Sequence, residues 1–234
     1  MGYYYGYGID WTYILVIIGA VISMIASSRV NSEFKKFSRV TSRSGLTGAQ
    51  AAMELLHSQG IYDVSVQHIA GNLTDHFDPR NKTVSLSDPV YNSTSLAAIG
   101  VAAHECGHAM QHAKGYAPLA IRSALVPVAN IGSTLSWPLI IIGLLIGGSP
   151  STFFIKLGII FFMGALLFQI VTLPVEFNAS ARALRLLQST GLMAQDEVSG
   201  SRRVLKAAAL TYVAAVAASI LQLIRLLAIA NRRR

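Results

Sequence analysis

The chain predicts a mainly helical α+β membrane protein, with about four transmembrane helices and a small cytoplasmic β-hairpin or sheet. Three observations carry this. Hydrophobic residues make up 53% of the 234 and charged ones only 13%, well below the roughly 25% charged share of ordinary soluble domains. Several apolar runs reach the roughly 17–25 residues a spanning helix needs. A single long polar stretch, 29–117, mixes helical and alternating patterns and leaves room for one small polar body. Residues 1–234 are therefore expected to form one integrated unit. The formal charge is +8, but Lys and Arg gather beside the apolar runs and not on a polar, aromatic-bearing surface. That excludes nucleic acid as the expected partner and makes the charge a topology signal. The single cysteine, Cys106, excludes an intrachain disulfide.

The first apolar run, 11–26, predicts a transmembrane helix within 1–28. A retained anchor is favoured over a secretory signal because residues 1–10 carry no Lys or Arg, and Gly6 argues against N-myristoylation. Arg29, Lys35, Lys36, Arg39 and Arg43 follow at once, which places 29–118 in the cytoplasm and the N-terminus outside. Within this part Thr47-Gly48-Ala49-Gln50 fits a capping box and Gly60 a helix stop, so a short helix is expected between them. Residues 62–67 alternate, and 73–77 and 83–87 flank the turn Asp78-Pro79-Arg80-Asn81, predicting a small sheet that ends in a hairpin. Asn92-Ser93-Thr94-Ser95 supplies an N-cap for a helix over 96–112.

The second apolar stretch, 119–147, contains Pro127, Asn130 and Pro138. It is either one kinked span or a re-entrant piece followed by a span. The turn Gly147-Gly148-Ser149-Pro150 is expected to close it, and 153–173 crosses back, so that 119–173 forms a transmembrane hairpin. Residues 174–206 carry Arg182, Arg185, Arg202, Arg203 and Lys206 and are expected in the cytoplasm. The last run, 207–229, lies in the segment 207–234 and contains Arg225. Four crossings put Arg232-Arg233-Arg234 outside, against the usual bias; a last helix lying along the interface is the alternative.

His104 and His108 are four apart on a predicted helix, so their imidazoles lie one turn apart on one side and can converge on one ion. Glu105 then stands where a carboxylate takes a proton from an attacking water. The bland reading is a pair of buried histidines, but ionisable groups in an Ala-rich helix are costly without a ligand. A catalytic zinc usually has three protein ligands and one open position. His112 lies about 12 Å along the axis from His104 at 1.5 Å per residue, too far to share its ion. Glu176 is the better third ligand: an antiparallel hairpin of the second and third runs returns it to the membrane face that holds His108. Its bland reading is an interfacial glutamate paired with Arg182 or another cation. Cys106 points away from the histidines. Asp75, His76 and Asp78 read as turn chemistry beside Pro79. The strand at 83–87 could accept an extended peptide by strand addition, or be an ordinary hairpin edge. His76, Tyr91, Tyr116 and Arg182 are all candidate oxyanion donors, and nothing in the sequence chooses among them.

The segments Gly100-Val-Ala-Ala-His-Glu-Cys-Gly-His-Ala-Met-Gln-His112, Leu173-Pro-Val-Glu-Phe-Asn-Ala-Ser-Ala-Arg-Ala183 and Asp75-His-Phe-Asp-Pro-Arg-Asn-Lys-Thr-Val84 resemble the YugP-type neutral zinc metallopeptidases, bacterial membrane proteins. The resemblance covers nearly the whole chain. It implies the gluzincin arrangement, two histidines plus a glutamate from a second helix, with one zinc ion per chain and a zincin-like active-site helix. A more distant resemblance is to membrane metallopeptidases of the HtpX and CAAX-prenyl-protease type, whose third-ligand helix reads Glu-x-x-x-Asp. Here Ser180 stands where that Asp would orient a zinc histidine, and Asn178 faces another side of the helix.

The expected function is a zinc-dependent endopeptidase with His104, His108 and Glu176 as metal ligands and Glu105 as catalytic base. It would be multi-pass in the bacterial cytoplasmic membrane, with its site facing the cytoplasm and its substrates membrane or membrane-near polypeptides. One alternative is a non-enzymatic zinc-binding membrane adaptor, which has no need of Glu105. Another is a transporter using Asn130, Gln169 and Arg225, which sit too sparsely for a polar path.

Overall fold

The computed structural model describes residues 10–146 and 148–232. Ten elements follow in order: α1 (Tyr13–Phe37), α2 (Gly48–Ser58), β1 (Ser65–His68), β2 (His76–Asp78), β3 (Thr83–Leu86), α3 (Asp88–Tyr91), α4 (Leu96–Ala113), α5 (Ala117–Ile146), α6 (Gly148–Ser189) and α7 (Gln195–Arg232). Four of them, α1, α5, α6 and α7, are long and apolar enough to cross a membrane. The residues group into two compact units: Met1–Ile25, Leu125–Gln169 and Val213–Arg234 in one, Ala26–Ala124 and Ile170–Tyr212 in the other.

The first unit is made from the apolar parts of the four long helices. Its core is small, built on Ile140, Ile155, Ile159, Leu226 and Ala230, and much of its apolar surface faces outward, Leu145 being 79% exposed. That is the pattern expected where lipid replaces water as the solvent, with small residues at the helix contacts. A Cβ on Gly132 would stand 2.5 Å from the Phe161 carbonyl oxygen, and one on Gly143 2.9 Å from that of Ser151. Between the two expected alternatives for 119–147, α5 is one continuous helix with Pro127 and Pro138 inside it. At the ends of the unit, Arg232 pairs with Asp10 at 3.1 Å and lies over the Trp11 ring, so this C-terminal arginine has an acidic and an aromatic partner. Arg225 lies 4.2 Å from the centre of the Tyr13 ring. The leading Gly/Tyr-rich residues, Gly147 of the expected turn, Arg233 and Arg234 lie outside the described residues; Gly148 to Pro150 of that turn are helical.

In the second unit α2 has the anticipated capping box, with the Gln50 amide donating to Thr47 Oγ1 at 3.2 Å and the Thr47 amide to Gln50 Oε1 at 2.9 Å. Gly60 ends the helix at a φ of +71°, a conformation that costs any residue with a Cβ. The 62–67 strand appears later than its alternation suggested, as β1. The hairpin of β2 and β3 is present and antiparallel, but β1 joins β3 in parallel on the other side, giving the order β1-β3-β2. This overturns β3 as a strand open to peptide addition, because both of its edges are already paired. The free edges belong to β1 and β2.

Ser95 caps α4 through the Ala98 amide at 3.2 Å. α4 is buried along most of its length, with Ala98, Ala102, Cys106 and Ala109 in a core shared with Leu55, Leu56, Leu86 and Val90. Cys106 points away from the histidines as expected, donating to the Ala52 carbonyl at 3.5 Å; burial pushes its thiol pKa well up. α6 runs through Pro174 and α7 begins at Gln195, so the segment 174–206 holds the end of one helix, a connection and the start of the next. A switch from apolar to polar sequence marks a change of surroundings and need not end a helix. The connection falls instead at Thr190–Ala194, where Gly191 takes a φ of +71°.

α4 and α6 approach closely at Gly107, where a Cβ would lie 2.5 Å from the Ala179 carbonyl oxygen. Backbone against backbone leaves no side chain to swing aside. Gly107→Ala should therefore push the two helices apart and cost the upper part of the roughly 1–3 kcal/mol typical of overpacking. A melting curve of the purified variant in detergent, monitored beside wild type, checks this; an unchanged midpoint would contradict the close approach.

Candidate metal centre

Two helices deliver the chemistry. α4 presents His104 and His108 one turn apart, with ring centres 4.8 Å apart and planes at 87°. α6 brings Glu176 against both, its Oε2 lying 3.2 Å from His104 Nε2 and 3.6 Å from His108 Nε2. The hairpin of α5 and α6 thus returns Glu176 to the motif helix, as the chain order suggested. The three donor atoms all lie within 4.8 Å of one another.

These residues fit a zinc ion. Bonds of about 2.0–2.2 Å in tetrahedral arrangement put neighbouring donors roughly 3.3–3.6 Å apart; Glu176 Oε2 lies 3.2 and 3.6 Å from the two imidazole nitrogens, and the whole set falls within 4.8 Å. Two imidazoles and one carboxylate, all from rigid helices, are also the donor set that zinc favours. Burial sharpens the point. The Glu176 side chain is 3% exposed, and a buried carboxylate needs compensating charge. In the metal-free arrangement the imidazoles supply some of it. Burial opposes a charge on His108, but its bond to Glu176, the nearby Glu105 and Glu176 charges and its bond to Gln111 outweigh this. The net effect holds the imidazole above its ordinary range.

Each histidine is held from behind. His104 Nδ1 is 3.1 Å from Ser180 Oγ, so Ser180 does take the position that an Asp holds in the related pattern. His108 Nδ1 is 3.0 Å from Gln111 Oε1. The Gln111 amide in turn donates to the Val175 carbonyl at 2.8 Å and to Asn178 Oδ1 at 3.1 Å. Asn178 Oδ1 also accepts from Arg182 Nε at 2.7 Å. Asn178 therefore serves the other histidine, indirectly, and Arg182 does not pair with Glu176. The cation that does is Arg122 on α5, with NH1 3.4 Å from Glu176 Oε1.

A cleft of about 300 Å³ opens over the cluster, walled by His104, Glu105, Glu176, Ser180, Asp75 and Tyr212 together with apolar Val30, Leu73, Val101 and Leu205. Glu105 is 7% exposed and lies on this wall beside the histidines. None of the four sequence candidates for an oxyanion donor lines the cleft. Tyr212 does, and its phenol interacts with Glu176. His112 stands apart, with its ring 5.8 Å from that of Phe77. Asp78 accepts from the Arg80 amide and Asn81, as turn chemistry requires. Asp75 instead clips the preceding loop to Ser87, accepting from its amide and its hydroxyl at 2.8 Å each.

Sequence reasoning missed Gln111, Arg122 and Tyr212. Gln111 had a signal, since it lies three residues after His108 on the same helix face. So did Arg122, a charge inside an apolar stretch. Tyr212 had none.

A family model described as "Putative neutral zinc metallopeptidase" matches residues 12–231. The chain is also similar to the "Putative membrane protease YugP" of Bacillus subtilis (strain 168), at 46% identity over 211 residues, which cover 90% of this chain and 92% of that protein. No solved structure matches. A family match across almost every described residue, with 46% identity over 90% of the chain, establishes that the chain belongs to the family described as "Putative neutral zinc metallopeptidase".

Proposed function

We propose that the chain is a zinc-dependent endopeptidase, with one ion per chain, that hydrolyses peptide bonds of membrane or membrane-near polypeptides at the cytoplasmic face of a bacterial cell membrane. The observation that carries this reading is the convergence of His104, His108 and Glu176 with Glu105 on the same cleft wall. A purely structural zinc site would have no use for the Glu105 carboxylate or for an open cleft, which counts against the adaptor alternative. The cytoplasmic assignment rests on the basic residues that follow the first apolar run and those within 174–206.

When bound, zinc would supply Lewis acidity, bringing a water's acidity toward neutral pH and polarising the scissile carbonyl. The remaining work belongs to side chains. Glu105 takes the proton of the attacking water and passes it to the leaving amine. Tyr212, a phenol on the cleft wall, is our choice of oxyanion donor. The apolar walls, Val30, Leu73, Val101 and Leu205, suit a substrate with apolar side chains flanking the bond.

The histidines need a free Nε2 lone pair, and their backing differs in how firmly it provides one. Gln111 must turn its NH2 toward the Val175 carbonyl, an acceptor only, so its Oε1 faces His108. His108 Nδ1 then has to carry the proton, which leaves Nε2 free. Ser180 can donate or accept, so it orients His104 without dictating the tautomer.

Glu105→Gln should retain stoichiometric zinc while hydrolysis of an unfolded protein falls by about 10²–10⁴-fold, the usual share of general base catalysis. Glu176→Ala or His104→Ala should instead lose the metal. Elemental analysis alongside a proteolysis assay separates these, and full activity in Glu105→Gln would refute the mechanism. Gln111→Leu should weaken zinc binding by about 10–100-fold and Ser180→Ala by less, given the usual effect of outer-sphere partners; chelator competition measures both. Proton competition gives a further expectation. Because the metal-free His108 is held above the ordinary histidine value of about 6.5, zinc must still displace its proton at pH values where a free imidazole is already neutral. Apparent zinc affinity should keep rising as pH climbs past about 6.5, and a plateau reached below that value in a chelator titration would count against it. The same raised value makes the His108 charge stabilise the metal-free fold below about 6.5, a contribution lost as pH rises through the folded-state value.

A further inference from the structure

We infer that Arg122 is a positioning residue for the metal site, holding one oxygen of Glu176 so that only the other is offered to the ion. This rests on the metal-centre reading above. The two carboxylate oxygens have different partners: Oε2 faces both imidazole Nε2 atoms, at 3.2 and 3.6 Å, and Oε1 faces Arg122 NH1 at 3.4 Å. A carboxylate with two free oxygens can chelate a divalent ion and take up the position that a catalytic zinc must leave open for water. An ion pair on Oε1 competes with that second bond.

Arg122 suits the task physically. Its side chain is 29% exposed and that of Glu176 3%, so the pair is shielded from much of the screening that weakens surface ion pairs. Metal retention alone does not explain it. A fixed positive charge this close to a dication opposes metal binding, so a site selected only for grip would be better without it. Arg122 comes from α5, which carries none of the three ligands. It therefore reports to the carboxylate the placement of a third element, and α4 and α6 alone cannot supply the constraint.

The test uses the full chain in detergent with cobalt(II) in place of zinc, since the visible absorption of cobalt weakens as coordination rises from four to five. Arg122→Gln should bind one cobalt with equal or higher affinity, show a weaker visible band than wild type, and lose about 10-fold or more in kcat with KM little changed. Arg122→Lys, which keeps a charge but not the planar fork, should fall between. A wild-type band in Arg122→Gln would overturn the inference. Should that variant not fold, Arg122→Lys decides alone: an intermediate band supports the role, and a wild-type band with wild-type kcat overturns it. Failure of the wild-type chain itself to take up cobalt would instead overturn the metal-centre reading beneath, an outcome that the cobalt-to-protein ratio distinguishes.

Discussion

A carboxylate buried to 3% exposure and facing two imidazoles sets the terms for every helix around it. Left alone, that charge would cost several kcal/mol of desolvation, so the fold has to surround it with partners of opposite or adaptable charge. His104 and His108 arrive from α4 and Arg122 from α5, while α6 carries the carboxylate itself. Three helices are thereby tied to one side chain. The contact distance between α4 and α6 is in turn set at Gly107, where there is room for a hydrogen and not for a methyl group.

Support for the two histidines is unequal, and α6 provides most of it. Val175, Asn178 and Ser180, all within about one and a half turns of that helix, are reached directly or through Gln111. One segment therefore carries Glu176 and backs both histidines. The Gln111 chain determines a tautomer because each member has a single role, whereas the Ser180 hydroxyl has two.

Several elements were legible from local chemistry. The capping box at Thr47, the stop at Gly60, the Ser95 cap and the turn at Asp78 depend on neighbours within a few residues, and the structure contains each of them. Helix lengths were harder. Polar composition marks out 174–206 but not its helix ends, because a backbone that satisfies its own hydrogen bonds continues through a change in side-chain polarity, as α6 does past Pro174. Strand order was hardest. β1 pairs with β3 in parallel through a connection that contains β2, and no local pattern reports which of two later strands an earlier one will join.

His104, Glu105 and His108 belong to the sequence itself, because a five-residue spacing on a helix places them on one turn whatever the rest of the chain does. Glu176 could be nominated from chain order, since two long apolar runs joined by a short connection must return to the side they left. What lies behind and beside the ligands was decided only in three dimensions. Arg122, Gln111 and Tyr212 acquire their roles from the distance and rotation of whole helices. Those depend on contacts such as Gly107 against Ala179, where residues far apart in sequence meet at van der Waals range, and periodicity along a single helix does not encode such meetings.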